Sequence, residues 1–322
     1  MKHTFYISLI LLGGFLIAQF LGLAILNQYI DPVQSAVTGE TEFKDLPVGE
    51  RPQLEEKTAY LPVIVAVLIG TVIMLFLIRF QWTWIWKLWF LFAVVFTLTI
   101  SLGAFMPKLA AMIISLLLGV WKIFKPNFWV HNLTELFVYA GLAVIFVPVF
   151  NVWSISILLV LIAIYDAYAV WKSKHMVTLA KSQAKAKVFA GFFVPYVDGD
   201  GKEKKSYDKE KKSEGVDEKT KWLRFPRMTS VKNISPQKRN TFRTAVLGGG
   251  DIGFPLIFAG VVFKEWGLWQ SLIIPFFAMA GLAFLLWKGD KNKFYPAMPF
   301  IGAGCFLGLL VAWIVGRLLG VG

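Results

Sequence analysis

Residues 152–171 read VWSISILLVLIAIYDAYAVW. Apart from Asp166 the stretch carries no charge. At about 1.5 Å of rise per residue, a helix of this length crosses the roughly 30 Å hydrocarbon core of a bilayer. A carboxylate inside such a helix costs at least about 2 to 3 kcal/mol, so Asp166 is expected to face a cavity, to have a partner and to serve a function.

Similar apolar runs lie on both sides, at about 5–30, 60–78, 84–105, 109–124, 133–150, 245–263, 267–287 and 297–316. With 152–171 they predict an all-α, polytopic membrane protein with nine transmembrane helices. The composition agrees, since 57% of the 322 residues are hydrophobic and only 16% charged, against about a quarter charged in soluble domains. The fourth run is the shortest, from Leu109 to Trp121, and reads as a hairpin with the fifth or a buried segment. The first run outlasts the roughly 7 to 15 apolar residues of a signal peptide and reads as a retained helix. Cys305 is the single cysteine, which excludes an intramolecular disulfide.

The net charge of +13 is concentrated in one place. Lys172 to Arg243 holds 19 basic and 8 acidic residues, whereas Asp31 to Thr58 holds 3 basic and 7 acidic. Basic connections stay cytoplasmic, and the short ones agree: Arg79 and Lys87, Lys122 and Lys125, then Lys288, Lys291 and Lys293. The N-terminus and the 173–244 loop are thus expected in the cytoplasm and the C-terminus outside. Tryptophans near the predicted ends, among them Trp82, Trp121, Trp153 and Trp269, form an interfacial belt. The chain divides into an N-terminal six-helix unit (1–172), a basic and partly mobile loop (173–244) and a C-terminal three-helix unit (245–322). Glu203, Asp208, Glu210 and Glu214 interrupt the loop's positive charge, which suits the anionic surface of the lipid bilayer and excludes nucleic acid as a partner. Within it, Val188 to Val197 carries Phe189, Phe192, Phe193 and Tyr196 and reads as an extended strand or a surface-lying segment.

A second intramembrane acid, Asp251, follows Gly248-Gly249-Gly250 in the seventh run. Counted along helices, Asp166 lies about 9 Å before Lys172 and Asp251 about 12 Å after Arg243, which sets both at one level near the loop. Two carboxylates sharing a site cannot both ionise cheaply, so the pair holds one proton over a useful pH range, as an aspartic protease dyad does. The glycines leave room for water and a substrate backbone beside Asp251, at about 1 kcal/mol each in a helix, and Pro255 weakens that helix further. Tyr165 points about 100° away from its neighbour Asp166, towards the entry or an adjacent group. At the same depth Pro296-Ala297-Met298-Pro299 opens the last run, where backbone groups left without partners suit pairing with an extended substrate.

Together, Tyr165-Asp166, Gly248-x-Gly250-Asp251 and Pro296-Ala297-Met298 resemble, in order, spacing and helix number, the three signatures of the presenilin and signal peptide peptidase family of intramembrane aspartyl proteases. The resemblance implies that Asp166 and Asp251 are the catalytic pair, supported by Tyr165, Gly248, Gly250, Pro296, Ala297 and Met298. It also implies a cofactor-free enzyme that hydrolyses transmembrane segments of membrane proteins or signal peptides. Met176-Val177-Thr178-Leu179-Ala180 and Pro255 look more like signal peptide peptidase. The N-inside orientation and compact length look like an archaeal presenilin homologue.

The competing class is a proton- or cation-coupled transporter or channel, since acids on glycine-broken helices also bind ions. No inverted repeat supports it. His3, His131 and His175 lack the His-Glu-x-x-His spacing of a zinc protease, so no metal is expected. Gly304 and Gly308 form a Gly-x-x-x-Gly pair for packing against a neighbouring helix or, in a homo-oligomer, a second copy.

Overall fold

The computed structural model describes residues 5–125, 127–172, 189–198, 241–289 and 295–318. Among these, nine long helices occupy the nine apolar runs. They are α1 (Phe5–Gln28), α3 (Tyr60–Arg79), α4 (Thr83–Gly103), α5 (Lys108–Phe124), α6 (Phe128–Phe146), α7 (Val152–Trp171), α8 (Gly249–Trp266), α9 (Leu268–Lys288) and α10 (Met298–Leu318). A short α2 (Pro32–Thr38) begins the connection after α1. Seven of the nine are long and apolar enough to cross a membrane. The other two are α5, with 17 residues, and α8, which carries Asp251, Lys264 and Glu265.

Local signals fix the helix starts. Asn127 accepts the Trp129 N–H to begin α6, and Asn151 and Ser154 form a reciprocal capping box at α7. Gly267, at φ 99°, makes the turn from α8 to α9.

The centre of the helical bundle is α8. From Ile252 to Phe263 its residues are buried apart from Phe254, and it packs on α1, α6, α7, α9 and α10. A helix that is apolar on all sides belongs in a core. Its charges fall at the ends. Lys264 Nζ reaches Glu56 at 2.6 Å and the Phe150 carbonyl at 3.0 Å, while Glu265 accepts the Val152 N–H at 2.8 Å. The Gly304–Gly308 pair is used within the chain. A Cβ on Gly304 would lie 2.3 Å from the Phe277 carbonyl oxygen, so α9 and α10 touch backbone to backbone there.

Two strands, β1 (Gly191–Asp198) and β2 (Thr241–Gly248), pair as a two-stranded sheet. The aromatic segment around Phe192 thus takes the extended form. β2 differs from the expectation of a helix from 245. The Ala245-Val246-Leu247 run continues as strand, and α8 begins only at Gly249. The chain divides into two compact units, Met1–Val194 with Val246–Gly322, and Pro195–Ala245. In the second, the described residues are the strand segments 195–198 and 241–245. Most of the basic loop, including Met176-Val177-Thr178-Leu179-Ala180, lies outside the described residues.

Candidate active site

Asp166 lies in the last two turns of α7 and is 7% exposed. Its Oδ2 accepts the Met298 N–H at 3.2 Å, and the Ala297 backbone N–H also donates to this carboxylate. The contact has a simple local cause. α10 begins at Met298, and the first N–H groups of a helix have no partner within it. The Ala297 carbonyl accepts from the Phe300 and Ile301 N–H groups, and the Met298 N–H, which has no partner within the helix, goes to Asp166. The Pro-Ala-Met segment was expected to offer its backbone to a substrate. Instead this N–H is already bonded to the aspartate, which caps α10 from the neighbouring helix.

Asp251 is in the first turn of α8. The helical depth count for it needs correction, because 241–248 is strand, rising about 3.3 Å per residue. Helix α8 starts two residues before the acid, so Asp251 sits at the helix's entry. The glycine cost is corrected as well. Gly248 ends β2, and Gly249 and Gly250 are the first two helical residues, so none occupies a helix interior. What the glycines provide is approach. A Cβ on Gly248 would stand 3.1 Å from Asp251 Oδ2, and one on Gly249 would stand 2.9 Å from the Tyr139 hydroxyl. At Gly250 the nearest side chain, Phe254, is at an ordinary 3.7 Å.

The three motif-bearing helices α7, α8 and α10 pack pairwise on one another. Both aspartates therefore lie at helix N-termini, Asp251 within α8 and Asp166 against α10, where aligned backbone dipoles and free N–H groups suit carboxylates. Tyr165 turns to another neighbour, its hydroxyl 3.0 Å from Thr71 Oγ1 on α3.

Several polar residues around the site were not singled out from the sequence. Gln19 of α1, fully buried, donates to the Ile252 carbonyl at 2.9 Å, one residue beyond Asp251. On α6, His131, Glu135 and Tyr139 recur every four residues on one face and are all buried. His131 Nε2 lies 2.9 Å from the Gly191 carbonyl, and Asn132 bonds both the N–H and the carbonyl of Phe193, at 3.2 and 3.0 Å. Lys122, expected as a cytoplasmic boundary cation, is 2% exposed and paired with Glu135. Glu135 is a third acid in an apolar run, and its helical spacing from His131 and Tyr139 was the available signal.

The fold and these residues define a multi-pass helical membrane protein with two aspartates on adjoining core helices. The family model described as "Signal-peptide peptidase, presenilin aspartyl protease" matches residues 36–318. The chain belongs to this family of intramembrane aspartic endopeptidases. Its fold is similar to a presenilin family intramembrane aspartate protease solved in space group C222, with TM-score 0.59 and 19% identity, covering 96% of this chain and 99% of that one. For a structure of a presenilin family intramembrane aspartate protease in space group P2 the values are 0.55 and 18%, covering 95% and 96%. No individually curated protein matches the sequence. Family membership favours proteolysis over the transporter alternative.

Proposed function

We propose that Asp166 and Asp251 form the catalytic dyad and hydrolyse peptide bonds within transmembrane segments of membrane proteins or signal peptides. The observation that carries the assignment is the Met298 N–H on the Asp166 carboxylate, which joins the Tyr-Asp and Pro-Ala-Met motifs in one contact. One ionised carboxylate takes a proton from water as its oxygen bonds to the peptide carbonyl carbon. The protonated partner donates to the developing oxyanion. Collapse of the tetrahedral intermediate breaks the C–N bond, and a carboxyl group protonates the departing amine. The apparent pKa values belong to the pair.

A helical substrate keeps its carbonyls in hydrogen bonds, so it must unwind before attack. The described part of the sheet suits capture of the unwound segment. Asn132 occupies β1 beside Phe193, whereas β2 has no second strand partner among the described residues and runs directly into the Asp251 turn. An extended segment adding along Val246–Gly248 would be led to the carboxylates. The N-terminus and 173–244 loop are assigned to the cytoplasm and the C-terminus to the outside, with cleavage in the cytoplasmic third of the bilayer.

The test is cleavage of a transmembrane peptide by the purified protein. Asp166→Asn and Asp251→Asn are each expected to lower the rate by at least about a hundredfold, the lower range for loss of a general acid or base. Undiminished cleavage by either variant would refute the dyad. The parent is expected to show a bell-shaped pH–rate profile, and a flat one would count against a shared proton.

A further inference from the structure

Glu135 and Tyr139 lie one turn apart on the buried face of α6, and neither is explained by the three motifs. Glu135 Oε1 is paired with Lys122, but Oε2 has no hydrogen-bond partner. The Tyr139 hydroxyl is likewise buried without a partner at ordinary hydrogen-bond geometry. Two unsatisfied buried groups on successive turns of one helix are costly unless they serve each other or a third group. Tyr139 is 2% exposed, and Glu135 and Asp251 are the acids near its hydroxyl.

The third group is the backbone that carries Asp251. The Tyr139 hydroxyl stands 2.9 Å from where a Gly249 Cβ would be, and Asp251 Oδ2 stands 3.1 Å from where a Gly248 Cβ would be. Hydroxyl and carboxylate therefore rest on consecutive glycines, and the Gly249 N–H is held by the Ala190 carbonyl at 3.0 Å. Phe192 of β1 packs edge-on against the Tyr139 ring, with centroids 6.0 Å apart. The ring is thus fixed between the strand pair and the entry of α8. Gly249 is the free position of the Gly-x-Gly-Asp motif, so the motif alone does not account for its close approach to Tyr139.

The geometry points to Tyr139 as a positioning residue for the Asp251 turn, held in place by Glu135 and its partner Lys122. The hydroxyl fills the space a side chain at Gly249 would take and orders the Gly248-Gly249 backbone against which the carboxylate rests. Lys122 neutralises Glu135 in the apolar bundle, which leaves the second carboxylate oxygen available to the tyrosine hydroxyl one turn away. His131, with its Nε2 on the Gly191 carbonyl, sets the next turn of the same face against β1.

The inference rests on the dyad assignment for its kinetic readout and is independent of it for its stability readout. Thermal melting of the full-length parent, Tyr139→Phe, Asp251→Asn and the double variant forms a cycle. Non-additive shifts are expected, as for residues sharing one network, and additive shifts would overturn the coupling. In peptide cleavage, Tyr139→Phe is expected to lower kcat about tenfold to a hundredfold with KM unchanged, the cost of a misplaced catalytic group. An unchanged kcat, or a change in KM alone, would overturn the positioning role. Because a single change at Glu135 leaves Lys122 unpaired and threatens folding, the second variant is Lys122→Met with Glu135→Leu. It is expected to reproduce the kcat loss, with little further loss on adding Tyr139→Phe; full activity would overturn the role of the pair. If the parent fails to cleave while the melting cycle is non-additive, the protease assignment falls and the Tyr139 coupling stands.

Discussion

Tyr29 follows directly on α1, and its hydroxyl donates to the Ile100 carbonyl of α4 at 2.6 Å. Burial pushes this phenol from 10.0 to about 12, with Arg51 pulling the other way. The protonated form is the one the fold favours, so its contribution is complete below pH 10 and is lost as pH rises towards 12. The melting temperature of the parent is expected to fall more between about pH 9 and pH 11.5 than that of Tyr29→Phe, which has no phenol to ionise. Equal falls would show that Tyr29 carries no such linkage. The same scale shows which residues the sequence makes visible. Asp166 and Asp251 stand out because each is the single acid within an apolar run. Glu135 does not, because it stands at the start of the 133–150 run, where an acid reads as a boundary residue, just as Lys122 near the end of α5 reads as a boundary cation. Tyr139 is one more aromatic among apolar neighbours until the approach of Gly249 gives its hydroxyl a meaning.

Among the elements, seven helices were legible because length and apolarity identify a span without any knowledge of packing, whereas α5 and α8 fall short of that mark. The strand pair was legible by half. The aromatics clustered before Asp198 suggested a strand or a surface-lying segment for β1, but the Ala245-Val246-Leu247 run could join either strand or helix, and a short apolar run does not choose between them. Pairing with β1 chooses, and it turns a presumed helical approach to Asp251 into an extended one. Asn132 is where α6 takes hold of this sheet, its amide bonding both backbone groups of Phe193. Asn132→Ala removes both half-buried bonds, at about 1 kcal/mol each. Amide hydrogen exchange at 192–194 is expected to rise well above that of α8, and peptide cleavage to drop more than the melting temperature does. Unchanged exchange across β1 would mean that β2 and the aromatic contacts hold the strand without Asn132.

For the whole molecule, the proposed orientation in the membrane rests on charge, and the buried Lys122 removes one residue from its support. The rule survives its loss. Arg79, Lys87, Lys125 and Lys288 still mark alternate connections, all on the side of the 173–244 loop. The first residues of β1 are bonded to the start of α6 through His131 and Asn132, and the aspartates lie in the last two turns of α7 and the first turn of α8, the ends of those helices next to the 173–244 loop in the chain. If that side is cytoplasmic, an unwound substrate meets the dyad close to its own cytoplasmic end. The native thiol makes the orientation testable, since Cys305 is fully buried and will stay silent to a membrane-impermeant maleimide. Ala36→Cys, on the exposed surface of α2, is expected to label from outside intact cells. Ser206→Cys, in the basic loop, is expected to label only after the membrane is opened. The opposite pattern would invert the molecule and move the predicted cut to the outer end of the substrate helix, which mass spectrometry of the cleavage products would show independently.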